Sequence, residues 1–137
     1  MTHPQQLSST RSGVYRTPAD LVRLEGEARA AGLAWADVAH GTRRTKQEVL
    51  AAVAEAVGAP AATFGANWDA LADVLQDLSW RQAPGQVLHL RGLESLDPAV
   101  ERAILFEVLQ ASAAYWKARG KPFFAFVDDA LELPEWH

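Results

Sequence analysis

Apolar residues recur along this chain at two spacings, and the spacing switches at residues that stop one element and start the next. Leu21, Leu24 and Ala28 share one helical face, and Gly32 ends their run. Ahead of them, Thr17-Pro18-Ala19-Asp20 predicts an N-cap at Thr17 with proline at the first helical position. Thr45-Lys46-Gln47-Glu48 reads as a capping box, followed by Val49, Leu50, Val53 and Val57 at helical spacing and closed by Gly58. Asn67 predicts the cap of a shorter helix over 68–79. Asp97-Pro98 opens the longest helix, with Val100, Ile104, Leu105, Val108, Leu109 and Trp116 facing inward and Gly120 ending it. Between these lie strands at Gln86 to Leu90 and Pro122 to Val127, the second apolar on both alternations as in a buried parallel sheet. Leu33 to Val38 is a weaker strand, richer in alanine than strands favour. The order predicts an α/β domain of three-layer type. Its small, mostly parallel sheet has three main strands and a short extra edge strand at Val14-Tyr15, all packed by helices through right-handed crossovers.

Composition narrows the class. With 137 residues, 49% hydrophobic and 22% charged, the chain reads as one globular domain that needs no disulfide staples. Cysteine is absent, which excludes disulfides, thiolate metal sites and cysteine nucleophiles. Residues 1–12 are polar and read as a flexible tail without the apolar stretch of a secretory signal. No run approaches the roughly 18 apolar residues of a spanning helix, so the expected address is the cytoplasm. A net charge of −4 argues against a nucleic-acid footprint.

The chemistry concentrates after Asn67. Trp68, Leu71, Leu75 and Leu78 form a core-facing stripe, while Asp69, Asp73 and Asp77 fall at i, i+4 and i+8 on an adjacent face. Like charges at that spacing cost about 0.2–0.5 kcal/mol per pair, and no basic residue inside the helix relieves them. Such a row is either a solvated face or a surface that waits for positive charge. Positive charge could come from a partner protein with a basic cleft, or from a divalent metal held by carboxylates. Paired carboxylates could also serve general acid–base catalysis. The metal reading lacks a glycine-rich phosphate loop and the glycosidase reading lacks a cleft, so spacing favours a partner. The segment Gly58 to Ala66, which joins two helices ahead of the row, is long enough to carry function.

Phe64-Gly65-x-Asn67-x-Asp69-Ala70-Leu71-x-Asp73-x-Leu75, followed by Trp80-x₆-Val87, resembles the barstar family of ribonuclease inhibitors. The similarity runs from Leu33 to Val127, because the downstream strand–long helix–strand order also matches. The resemblance implies a core over 33–129 with 13–32 as an N-terminal extension, in a single domain over 13–137. It implies that Asp73 stands where a carboxylate mimics substrate phosphate and that Asp69 is a second acid facing the enzyme's arginines. Gly65 and Asn67, with Phe64 and Thr63, would shape the presenting loop and cap, Trp68 would be an apolar contact, and Gln76 and Asp77 would be peripheral. Four positions depart from the family. Thr63 stands in place of an aromatic, Ala72 in place of a tryptophan, Leu78 in place of another large aromatic, and Tyr115 at the distal acidic position. The resemblance therefore implies a monomeric, non-enzymatic inhibitor without cofactor or metal. Its partner would be a basic, barnase-like ribonuclease or a related nuclease toxin, with no nucleic acid or membrane involved. A magnesium-dependent enzyme on phosphate substrates and an orphan interaction module with the same fold are the alternatives.

Other candidates read as structural. Asp128-Asp129, with Glu132 and Glu135, reads as a solvated tail, although strand C-termini often bear ligand sites. His89 reads as a satisfied sheet residue and His40 as a turn residue. Trp35, Trp80, Trp116 and Trp136 read as packing. No nucleophile setting of the G-x-S-x-G kind occurs, and Arg43-Arg44 is too short for a nucleic-acid patch.

Overall fold

The computed structural model of the chain describes residues 7–38, 45–59, 67–78, 83–92 and 99–136. A 3-10 turn at Ser9–Arg11 leads into β1 (Gly13–Arg16), α1 (Leu21–Ala30), β2 (Ala34–Val38), α2 (Lys46–Ala56) and α3 (Trp68–Asp77). Then come β3 (Gln86–Leu90), α4 (Ala99–Lys117) and β4 (Phe123–Val127). The strands form one sheet in the order β1-β4-β3-β2, parallel throughout. The α/β class is as the spacing predicts, and the short edge strand at Val14-Tyr15 forms, lengthened by one residue at each end.

Every residue of β3 and β4 is buried, so both faces of the sheet need cover. On one face Leu88, Leu90, Phe123, Ala125 and Val127 meet Leu50 and Val53 of α2, Leu71 and Leu75 of α3, and Leu105 and Leu109 of α4. On the other, Val87, Phe124 and Phe126 meet Leu24 and Ala28 of α1 together with Leu7 and Leu33. Trp136 completes that second core, its ring edge-on to Phe124 and Phe126 at 5.4 and 5.3 Å. Arg11 lies 3.9 Å over the Trp136 ring. Part of the segment expected as a tail is thus ordered on the sheet, where Leu7 is only 5% exposed. Among the described residues no helix is long and apolar enough to cross a membrane.

Local signals set most boundaries. Thr45 and Glu48 exchange both bonds of the capping box, at 3.2 and 2.8 Å. Gly32 takes φ +74° after α1. Gly85 is required for a different reason, because a Cβ there would sit 2.5 Å from the Pro122 carbonyl oxygen where β3 meets β4. The cap of α1 differs from the expected Thr17. Asp20 performs it, accepting from the Arg23 N–H at 3.0 Å, while α1 starts only at Leu21 and Thr17 stays with the sheet, its amide donating to the Val127 carbonyl at 3.1 Å. Val100, expected inward, is 59% exposed. It lies five residues before the buried Leu105, roughly 140° round the helix at 100° per residue. Phe106, Ser112 and Ala113 are buried instead.

The parallel register sets Asp37 of β2 beside His89 of β3. His89 is buried, with Nδ1 3.1 Å from Asp37 Oδ1 and Nε2 2.9 Å from Asp128 Oδ1. This confirms the histidine as a satisfied sheet residue, and it corrects the reading of Asp128 as solvated tail. The carboxylate stands where β4 ends, across from β3, and closes a staple over three strands. Asp128→Ala leaves one buried ring nitrogen unpaired, and urea unfolding is expected to show a loss of about 1–3 kcal/mol.

Candidate functional site

Helix α3 begins where Asn67, in extended conformation, turns its side-chain oxygen onto the Ala70 N–H at 2.7 Å. Leu71, Val74 and Leu75 then point into the core, and Leu78 follows them. Asp69, Asp73 and Asp77 are exposed on the outer face. Among the described residues none of the three makes an ion pair. Their mutual repulsion opposes the helix by about 0.2–0.5 kcal/mol per adjacent pair. Burying one leucine side chain contributes about 1.5–3 kcal/mol, so the apolar stripe outweighs the acidic row and holds it outward.

The far end of α3 is also fixed. Leu78 caps it in the left-handed conformation, φ 50°, with its N–H on the Val74 carbonyl. For a residue with a Cβ this costs about 1–2 kcal/mol, which burial of its side chain offsets. Two indoles tie α3 to α4. Trp68 Nε1 donates to Glu101 Oε2 at 2.8 Å, and Trp116 Nε1 donates to the Leu75 carbonyl at 2.7 Å. Trp68 is half-buried, and it heads a row with the partly exposed Ala72 and Gln76. Of the residues singled out beforehand, Asn67, Trp68, Asp69, Ala72, Asp73, Gln76 and Asp77 thus share one helix and its cap. Thr63, Phe64 and Gly65 lie outside the described residues, as does Trp80.

Beside the end of the acidic row is a cavity of about 200 Å³ rimmed by Asp77, Gln86, Trp116 and Lys121. On α4, Tyr115 carries the Arg119 guanidinium 3.5 Å over its ring, and Arg119 donates to the Tyr115 carbonyl at 2.9 Å. Among the described residues no group of three or more histidine, aspartate or glutamate side chains converges to hold a metal ion.

A capped, outward-facing acidic helix on a parallel α/β sheet now stands with its sequence motif. The family model described as Barstar (barnase inhibitor) matches residues 35–128, more than half of the chain. The chain belongs to the barstar family. No curated protein and no solved structure matches it. The barstar-family region begins in β2 and ends at Asp128, so it contains α3 and the three-strand staple. Strand β1, helix α1 and the segment bearing Trp136 are outside it.

Glu101 was not among the predicted site residues. An acid in the first turn of the longest helix is a visible signal, but nothing local links it to a tryptophan 33 positions earlier. Asn67→Ala removes the cap bond and is expected to cost about 1 kcal/mol, whereas Asn67→Asp keeps it. Chemical unfolding of the two variants side by side measures the difference.

Proposed function

We propose that this barstar-family protein is a non-enzymatic inhibitor that enters the basic active site of a barnase-like ribonuclease with the outer face of α3. The observation that carries the reading is the row Asp69–Asp73–Asp77, exposed and without a cationic partner among the described residues, on a helix fixed at both ends. A ribonuclease concentrates cationic and hydrogen-bond-donating groups where phosphodiester charge develops. Asp73 supplies anionic oxygens to that position without a P–O bond to cleave, so occupancy is inhibition. Asp69 is its companion toward the enzyme's arginines. Asn67, with Gly65, Phe64 and Thr63, presents the entry to the helix, and Gln76 and Asp77 lie at the periphery. A helix already ordered loses little conformational entropy on binding, and the flanking acids raise the association rate in a salt-dependent way. The protein acts as a monomer, in the cytoplasm, where a cysteine-free chain is at home.

Inhibition of RNA cleavage by barnase tests this. Wild type is expected to suppress cleavage, and Asp73→Ala to weaken binding by about 3 kcal/mol or more, on the order of 100-fold, as for a buried ion pair that loses one member. Interfacial charge pairs of the family's prototype complex are among the standard measurements of this kind, so the figure is general rather than particular to this chain. Unfolding free energy should rise slightly in the variant, by about 0.4–1 kcal/mol as two like-charge pairs are lost, and magnesium should have no effect on either protein. Wild type that leaves cleavage untouched at micromolar concentration would sink the proposal.

A further inference from the structure

Helix α3 is held to α4 by two indole hydrogen bonds, one near each end. The one at the C-terminal end uses a backbone carbonyl, so any sequence could supply its acceptor. The one at the N-terminal end uses a side chain, Glu101, and joins Trp68, which stands between the capping Asn67 and Asp69. Glu101 sits in the first turn of α4, where the helix dipole favours a carboxylate. Both side chains are partly buried, and a charged acceptor makes a stronger bond than a neutral one. With the two bonds intact, α3 cannot roll against α4 without breaking one of them. Rolling is the motion that would redirect the acids, because each side chain's direction follows from the rotation of its helix.

We infer that Glu101 is a positioning residue of the inhibitory surface. Its carboxylate holds the Trp68 indole and thereby fixes the direction in which Asp69 and Asp73 point. This rests on the inhibitor reading above. Glu101 acts through Trp68 and not as a further negative charge offered to the partner.

Glu101→Gln separates the two roles, since it keeps an acceptor oxygen and removes the charge. Barnase binding kinetics are compared for wild type, E101Q, E101A, W68F and the double variant W68F/E101A. E101A is expected to raise the dissociation rate about fivefold to tenfold and to leave the salt dependence of association unchanged. E101Q should fall between wild type and E101A, with a dissociation rate about twofold to threefold above wild type because its neutral acceptor makes a weaker bond, and E101A should add nothing on the W68F background. E101Q as weak as E101A, or additive losses in the double variant, overturns the inference. The indole N–H of Trp68, identified by its loss in W68F, gives a readout that needs no partner. It should exchange slowly with solvent in wild type and E101Q and fast in E101A; fast exchange in wild type overturns the inference. If wild type fails to bind barnase, the inhibitor reading falls by itself, and indole exchange alone decides whether Glu101 positions the helix.

Discussion

The central strands of this protein are buried on both sides, and their largely apolar side chains persist there only where both sides are kept from water. Phe123 and Ala125 look toward one layer, Phe124 and Phe126 toward the other. That constraint dictates the three-layer arrangement. Helices α2, α3 and α4 close one side, and α1, Leu7 and Trp136 close the other. The acidic helix is thus one plank of a cover that the sheet requires. Its inward stripe is committed to the core, which leaves only its outer face available for anything else.

The outer face is where stability and use diverge. A folded domain with no demand on α3 would place lysine or arginine among the aspartates to relieve repulsion. Here the charges stand together, and the helix is secured by other means: the Asn67 cap, the buried Leu71 and Leu75, the left-handed Leu78, and the two indole bonds. A local rule broken while its surroundings are reinforced is the pattern expected of a functional surface.

What could be read from the sequence was what depends on neighbours in the chain. The Thr45 capping box, the Asn67 cap, the alternation of the Phe123–Val127 strand and the outward row of acids are all short-range patterns, and each forms as read. The misreadings involve long-range partners or helical phase. Thr17 looked like a cap because nothing nearby shows that the Val127 carbonyl will take its amide. Asp128 looked solvated because its histidine is 39 residues away on another strand. Val100 was placed inward because it is apolar, although its phase relative to Leu105 points it out. Glu101 escaped notice because its role exists only once α3 and α4 lie side by side. The loop residues Thr63, Phe64 and Gly65 fall outside the described residues, so for them the motif stands alone.

The layer built from α1, Leu7 and Trp136 lies beyond the stretch shared with the family, yet it shields Phe124 and Phe126, which lie within that stretch. The matched stretch and the stretch that buries the sheet are consequently different lengths of chain. Trimming this protein to its family limits would strip one wall from the sheet and leave two phenylalanine rings facing solvent. The cover on the side of the sheet away from the acidic helix therefore comes largely from segments outside the matched stretch.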